Sequence, residues 1–244
     1  LPGLICNWSG EILYKDNKLS PNSQLLKKNF GYLIESPRFY EYLSAKQNLE
    51  ILTRISDLGI DRIDYVLDLV ELSSRCDDKV SAYSYGMKQR LGIAQTLLHN
   101  PKIIVLDEPN NGLDPNGISD MIKLIKKLKD EGKTICLSTH NLKDVEQICT
   151  DFTIFKNGVN TVVSSMQSQL QNSHIWLVNV AEYEKAINLF NESELFEVIS
   201  TYNQDIVIES KSDNTLDDIH KLLFGLQLYK ISKQSNLISY FNND

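Results

Sequence analysis

The feature that most constrains the fold is an apolar run, residues 103–106, that ends in the acidic pair Asp107-Glu108 and then Pro109. Four branched or long apolar residues in a row predict a buried β-strand, and the proline prevents that strand from continuing as a paired one. Ligands of open α/β sheets bind at the carboxyl ends of the strands. Asp107 is therefore a candidate to hold Mg²⁺ through water and Glu108 to polarise an attacking water. The alternative is that both carboxylates are merely solvated in a loop.

A helix and a second strand follow this acidic pair. Asp114 and Pro115 begin a helix, which is predicted by apolar residues at positions 118, 121, 122, 125 and 128. The apolar segment 134–139 then predicts a strand that delivers His140 at its carboxyl end. Neighbouring parallel strands joined by a helix end at the same edge of a sheet, so we expect His140 to lie near Glu108. A lone histidine after a strand is usually structural, but at this edge His140 is a candidate γ-phosphate sensor.

Residues 83–90 read Tyr-Ser-Tyr-Gly-Met-Lys-Gln-Arg. A short helix separates this run from the strand predicted over residues 103–106. The chain resembles the nucleotide-binding subunit of an ABC transporter from about residue 10 to residue 165. The resemblance rests on the order and spacing of this run, the acidic pair, the segment 111–114 and His140. The resemblance implies that residues 83–87 form the signature loop, written LSGGQ in the family. It also implies that Asp107 is the Walker B aspartate, Glu108 the catalytic glutamate and His140 the switch histidine. It further implies that residues 111–114 form the D-loop and that Asp114 contributes to ATP binding.

The signature loop departs from the family pattern at two positions. Tyr85 replaces the first glycine and Met87 replaces the glutamine, whereas Ser84 and Gly86 are retained. In the family, the retained serine hydroxyl and glycine N–H face the γ-phosphate bound to the partner subunit. A helix beginning at Met87 would add its N-terminal dipole to that anion site. We therefore expect Ser84, Gly86 and Met87 to contribute to ATP binding.

A glutamate, Glu35, occupies the place where most of these subunits carry the Q-loop glutamine. A carboxylate oxygen can also ligate Mg²⁺, so Glu35 is a second candidate ligand and a link to the membrane partner. The alternative is a solvated loop acid. The surrounding segment 31–40 is similar to the subgroup that exports bacitracin and lantibiotics in the self-protection of Gram-positive bacteria.

The phosphate-binding loop of the family, Gly-x-x-x-x-Gly-Lys-Ser/Thr, does not occur in the 244 residues, and the chain begins with Leu1. Residues 1–12 resemble the segment that follows the Walker A helix. The expectation is an N-terminally incomplete cassette, which as it stands would bind ATP poorly. The alternative is a degenerate, non-hydrolytic cassette that acts as an interaction partner of an active ATPase.

Composition limits the possible partners. A formal net charge of −7 argues against a nucleic-acid partner, which requires a basic face. The four cysteines show no metal-binding spacing, and Cys136 lies in a strand predicted to be buried, so they resemble reduced cytosolic thiols. No apolar stretch reaches the roughly 18 residues of a membrane span, so membrane passage would come from another subunit.

The predicted organisation is an ABC nucleotide-binding domain over residues 1–163, with a helical subdomain at about 41–90, followed by a C-terminal accessory region over 164–244. Phe39, Tyr40 and Tyr42 would lie near the contact with the membrane partner, or else in the core. Asn157-Gly158 predicts a hairpin turn. The C-terminal region predicts the order strand, helix, strand, strand, helix, strand, a small α+β pattern without a chemical motif.

The resemblance thus implies an α/β fold: a P-loop NTPase-like (RecA-like) ABC cassette with a helical subdomain and a small α+β C-terminal extension. It implies an ATPase subunit of a bacterial exporter of antimicrobial peptides, with ATP and Mg²⁺ as cofactors. The implied partners are an integral-membrane permease and a second ABC cassette, most simply as a homodimer. Such a subunit would be cytoplasmic and peripheral on the inner face of the cell membrane.

Overall fold

The computed structural model describes residues 9–19, 28–56, 58–202, 204–211, 216–235 and 237. The chain divides into two compact units, Leu1–Asn141 and Leu142–Asp244. The opening segment 1–8, which resembles the region after a Walker A helix, lies outside the described residues. The boundary after residue 163, between the nucleotide-binding domain and the C-terminal accessory region, stays a prediction.

In the part of the first unit that the structure describes, two short strands and a third strand are followed by three α-helices and a strand–helix–strand unit. In chain order these elements are β1 (Leu13–Tyr14), β2 (Asn17–Lys18), β3 (Phe30–Leu33), α1 (Ala45–Ile55), α2 (Arg62–Leu69), α3 (Tyr85–Leu97), β4 (Ile103–Asp107), α4 (Pro115–Asp130) and β5 (Thr134–Ser138).

A parallel sheet of order β3-β4-β5 organises this unit, and β1 and β2 form a separate antiparallel pair. In the parallel sheet Leu33 is registered with Leu106, and Asp107 with Ser138. Helix α4 connects β4 to β5, which confirms the predicted strand–helix–strand unit. The carboxyl ends of all three strands therefore meet at one edge, as expected for parallel neighbours.

The helices α1 to α3 form the region predicted as a helical subdomain. Ser44 caps α1 in a capping box with Gln47, in which each side chain bonds the other residue's backbone. The core of this region is aliphatic and fully buried, with Leu49, Val66 and Leu91 at 0% exposure. Burial of such side chains contributes roughly 1.5–3 kcal/mol each.

One expectation about burial is wrong, and one of two open alternatives is excluded for two tyrosines. Cys136 is exposed, because residues in β5 alternate between the two faces of the sheet and every second residue, Cys136 included, lies on an exposed face. Tyr40 and Tyr42 are also exposed, at 54% and 68%, with their rings edge to face at 5.9 Å. The alternative of core packing therefore does not hold for these two tyrosines, whereas Phe39 is half-buried.

The second unit consists of a helix, a hairpin, another helix and a six-element α+β region. In chain order its elements are α5 (Leu142–Ile148), β6 (Asp151–Lys156), β7 (Val159–Ser165), α6 (Met166–Asn172), β8 (Ile175–Val180), α7 (Tyr183–Glu192), β9 (Phe196–Tyr202), β10 (Asp205–Ser210), α8 (Leu216–Leu222) and β11 (Leu228–Gln234).

The hairpin and the C-terminal region both follow the sequence prediction. Asn157 and Gly158 connect β6 to β7 with φ of 51° and 78°, the left-handed values that this tight turn requires. Strands β8 to β11 form an antiparallel sheet of order β11-β8-β10-β9, a ferredoxin-like arrangement with its own core. Phe190 and Phe196 are fully buried in that core and pack edge to face at 5.8 Å.

Within the described ranges, no helix combines the length and the apolar character that crossing a bilayer requires.

Candidate functional site

The candidate site lies at the carboxyl edge of the parallel sheet, where Glu108 and His140 are brought together. Nδ1 of His140 lies 2.8 Å from Oε1 of Glu108, which confirms the predicted proximity of the two side chains. The Glu108 side chain is 32% exposed and that of His140 is 80% exposed. The carboxylate is therefore partly shielded, whereas the imidazole is mostly exposed to solvent.

The backbone of Glu108 is held in an uncommon conformation. Its φ is +46°, in the left-handed region that costs non-glycine residues free energy, on the order of 1–3 kcal/mol. The Glu108 N–H donates to the Ser138 carbonyl at 3.1 Å, and the Glu108 carbonyl accepts from the Asn111 N–H at 3.0 Å. These two bonds anchor Glu108 to the strand on one side and to the following loop on the other, where its carboxylate meets His140.

Asp107, the last residue of β4, accepts a hydrogen bond on Oδ1 from the hydroxyl of Ser138. The two residues are registered partners in the sheet, so the bond follows directly from strand pairing. Ser138 was not among the predicted site residues. Its position as the last residue of the strand beside the acidic pair was the sequence signal that could have indicated it.

The carboxylate ligands at this edge fit a magnesium ion that is bound together with phosphates. Asp107 and Glu35 both follow registered residues of adjacent strands and both offer hard carboxylate oxygens. Magnesium is commonly held by one or two carboxylates together with substrate phosphates and waters. The described part of the chain contains no group of three or more acidic, histidine or cysteine residues that would form an all-protein cage. Their joint role as Mg²⁺ ligands stays a prediction.

Glu35 lies in the loop after β3, is exposed, and has φ of +52°. A left-handed glutamate is uncommon, and such residues cluster where a loop has a defined function. The backbone at Glu35 therefore has a defined, uncommon conformation, although the Glu35 side chain is exposed to solvent.

The signature helix begins earlier than predicted. We expected a helix from Met87, but α3 begins at Tyr85 because the Ser84 hydroxyl accepts a hydrogen bond from the Met87 N–H at 3.3 Å. Ser84 is therefore the N-cap and Gly86 lies in the first turn. The Met87 N–H is engaged in the cap, whereas the Gly86 N–H is one of the first-turn donors that have no intrahelical acceptor. The proposed phosphate contacts of Ser84, Gly86 and Met87 stay predictions.

Asp114 caps helix α4, as the sequence predicts. Its Oδ1 accepts from the Gly117 N–H at 3.0 Å, and Pro115 occupies the first turn. The carboxylate is thus used locally, and its contribution to ATP binding stays a prediction.

Tyr85 makes contacts that the sequence analysis does not predict. Its hydroxyl lies 2.9 Å from Oγ of Ser36, 49 residues away, and accepts from Nε2 of Gln89 at 3.0 Å. A β-carbon built on Gly112 would lie 3.2 Å from Cε1 of the Tyr85 ring. The replacement of a family glycine by a hydroxylated aromatic was the only signal of these contacts in the sequence.

Solved structures define the class of protein. The fold is similar to that of cbiO1 from Clostridium perfringens, part of the ABC transporter complex cbiONQ, with a TM-score of 0.62 and 25% identity over 78% of this chain and 75% of that one. The fold is that of an ABC ATPase cassette.

Sequence relatives agree with that class. The ABC transporter family pattern matches residues 1–111. The ABC transporter ATP-binding protein YdbJ of Bacillus subtilis, itself uncharacterised, is 34% identical over 93% of this chain and 73% of its own length. The chain therefore belongs to the ABC transporter family as an ATP-binding subunit, and its enzymatic class is that of the ABC ATPases.

Two further relatives carry functional names. The bacitracin transport ATP-binding protein BcrA of Bacillus licheniformis is 41% identical over 65% of this chain. The lantibiotic transport ATP-binding protein SrtF of Streptococcus pyogenes is 40% identical over 61% of this chain. The matches cover 52% of BcrA and 63% of SrtF, so the chain spans less than two thirds of either relative.

Proposed function

We propose that this chain is the ATP-hydrolysing motor subunit of a bacterial exporter of bacitracin-type or lantibiotic-type antimicrobial peptides. The observation that carries the proposal is the Glu108–His140 pair, 2.8 Å apart beside Asp107 at the carboxyl edge of the parallel sheet. A carboxylate and an imidazole in contact at a ligand-binding edge are suited to orient and activate a water for phosphoryl transfer.

Each side chain has a distinct part in this mechanism. Glu108 polarises the attacking water through its carboxylate, which His140 holds in place through Nδ1. The mostly exposed imidazole would also contact a phosphate oxygen, as expected of a γ-phosphate sensor. Asp107, fixed by Ser138, and Glu35 would hold Mg²⁺, which when bound neutralises charge developing on the phosphates.

The partners and substrate follow from relatives. BcrA and SrtF are named for bacitracin and lantibiotic transport, which supports the same class of exported peptide here. A cassette of this kind works with an integral-membrane permease and a second cassette, on the inner face of the cell membrane. The exposed Tyr40 and Tyr42 are suited to the permease contact, because paired exposed aromatics favour protein interfaces.

ATP turnover tests the proposal directly. The chain is assayed as it stands and with a strand, a Gly-x-x-x-x-Gly-Lys-Ser loop and a helix joined to Leu1. In the joined version Glu108→Gln should lower kcat by about 10²–10⁴ while ATP binding survives, because the water loses its polarising carboxylate. His140→Ala should give a similar loss. Glu197→Gln, on an exposed position of β9, is the matched control and should leave kcat unchanged.

A Glu108→Gln variant that hydrolyses ATP within a few-fold of the parent would remove Glu108 from this role. A joined parent that binds ATP without turnover would instead indicate a non-hydrolytic cassette that serves an active partner. In cells that express the matching permease, Glu108→Gln should abolish resistance to bacitracin or to a lantibiotic, whichever the intact subunit protects against.

A further inference from the structure

Tyr85 lies where three segments of the first unit meet. It is the first residue of α3, follows the predicted ATP-binding residue Ser84, and is 42% exposed. Its hydroxyl reaches the loop after β3 and its ring packs against the loop after β4. One side chain therefore contacts both loops that carry candidate site residues.

The hydroxyl joins the helix to the loop that carries Glu35. Ser36, the neighbour of Glu35, lies 2.9 Å from the Tyr85 hydroxyl. Nε2 of Gln89, one turn along α3, donates to the same hydroxyl at 3.0 Å. Gln89 is 2% exposed, and its Oε1 has no hydrogen-bond partner among the described residues, so Tyr85 is what orients this buried amide. Loss of the Tyr85 hydroxyl would remove the hydrogen bond of Nε2 as well, at a cost in stability because the amide is buried.

The ring joins the helix to the D-loop. Gly112 has φ of +76°, and a side chain there would meet the Tyr85 ring at 3.2 Å from Cε1. A β-carbon built on Gly86 would likewise lie 3.5 Å from Cδ2 of Leu113. The D-loop backbone thus packs closely on the first turn of α3, with the Tyr85 ring as the surface it contacts.

We propose that Tyr85 is a positioning residue that couples the Glu35 loop, the D-loop and the first turn of α3. Its contacts hold the three segments as one body. Displacement of Glu35 is transmitted to Ser84 and Gly86, and to the loop that ends in Asp114. The significance for turnover rests on the ATPase function proposed above, whereas the coupling itself is a property of the chain as it stands.

A double-mutant cycle tests the hydroxyl contact. Native-state hydrogen exchange of the α3 amides reports the opening of the first unit in the full chain. Tyr85→Phe should accelerate this exchange about 5-fold and Ser36→Ala about 3-fold, and the double variant should match Tyr85→Phe alone. The matched control is Tyr83→Phe, which loses a hydroxyl bond to the Arg75 carbonyl and should combine additively with Ser36→Ala. Additivity of Tyr85→Phe and Ser36→Ala would overturn the proposal.

A second comparison tests the ring contact. The N–H groups of Asn111 and Leu113 donate to the carbonyls of Glu108 and Asn110 at 3.0 and 3.2 Å, so their exchange reports the order of the D-loop and its start. Tyr85→Phe keeps the ring and should leave their exchange within about 2-fold of the parent, whereas Tyr85→Leu should accelerate it about tenfold. Equal exchange in the Phe and Leu variants would show that the ring does not order the D-loop, against the proposal.

Turnover supplies a readout that a purely structural role would not move. In the version with the joined phosphate loop, Tyr85→Phe should lower kcat about 3-fold at unchanged KM, and Ser36→Ala should do the same. Tyr65→Phe, which loses a hydroxyl bond to the Glu131 carboxylate in the same unit, should leave kcat unchanged. A loss of the same size in Tyr65→Phe would reduce Tyr85 to a stabilising residue. A joined parent without turnover would overturn the ATPase function alone, because both exchange experiments remain interpretable without ATP.

Discussion

At the level of single residues, Tyr83 shows how burial sets a pH dependence. Its hydroxyl donates to the Arg75 carbonyl at 2.7 Å, and only 6% of the residue is exposed. Burial raises the pKa of Tyr83 from its ordinary 10.0 to about 12, and the charge of Asp78 adds to the rise. The folded chain therefore favours the protonated phenol. The stability that this preference contributes is complete below pH 10 and is lost as the pH rises toward 12.

Tyr83→Phe should therefore have a pH-dependent cost. At pH 8 the variant should be less stable than the parent by about 1 kcal/mol, since it lacks one buried hydrogen bond. Between pH 10 and about 12 the difference should narrow and then change sign, because the parent loses up to about 1.4 kcal/mol per pH unit while the phenylalanine variant has no phenol to titrate. Urea unfolding followed by circular dichroism at a series of pH values measures this. Tyr202→Phe, which removes the hydroxyl of an exposed tyrosine, is the control. A stability difference between Tyr83→Phe and the parent that stays constant up to pH 12 would contradict the raised pKa of Tyr83.

Glu35 allows its side chain to be tested separately from its backbone. Glu35→Gln and Glu35→Ala both keep a non-glycine residue at φ of +52°, so their backbone strain is similar. Because an amide oxygen can still ligate a hard cation, Glu35→Gln should retain more transport than Glu35→Ala, and alanine should weaken transport more than ATP binding. Peptide resistance in cells and ATP binding in vitro measure the two effects. Resistance left intact by alanine would identify Glu35 as a solvated loop acid.

At the level of elements, local sequence patterns were sufficient to predict helices and strands where the spacing of apolar residues determines the structure. The helical period after Asp114 and the apolar run 134–139 gave the strand–helix–strand unit, and with it the Glu108–His140 contact. Local patterns could not give the Ser36–Tyr85 contact, because its partners are 49 residues apart and meet only through tertiary packing. Helix α3 begins two residues before the predicted Met87, because Ser84 serves as its N-cap.

Helix α4 provides a prediction at this level, because Asp114 serves both as its cap and as a candidate site residue. Asp114→Ala should destabilise the chain by about 1 kcal/mol, since the Gly117 N–H loses its acceptor, whereas Asp114→Asn should keep the cap. Thermal unfolding measures this difference. If the charge also contributes to ATP binding, Asp114→Asn should weaken binding at unchanged stability. Equal stability of the alanine and asparagine variants would contradict the capping role.

At the level of the whole molecule, the candidate site residues belong to different elements of the first unit. Glu108 and His140 lie at the edge of the parallel sheet, whereas Ser84 and Gly86 lie at the start of α3. The ABC resemblance implies that the second pair reaches a phosphate only on a partner cassette, arranged head to tail. A working site would then combine Glu108 of one copy with Ser84 of the other.

Mixing two inactive variants tests this arrangement. Ser84→Asp keeps an N-cap residue but places a negative charge where the phosphate would bind, and Ser84→Asn is its uncharged control. With the phosphate loop joined, Ser84→Asp and Glu108→Gln should each be inactive alone. A mixed dimer of the two contains one site with both defects and one intact site, so an equal mixture should recover about a quarter of the parent activity. Size-exclusion chromatography with light scattering should show the dimer in the presence of ATP. A mixture that stays inactive although mixed dimers form would contradict a site shared between two copies, and would place Ser84 and Glu108 in the same subunit's site.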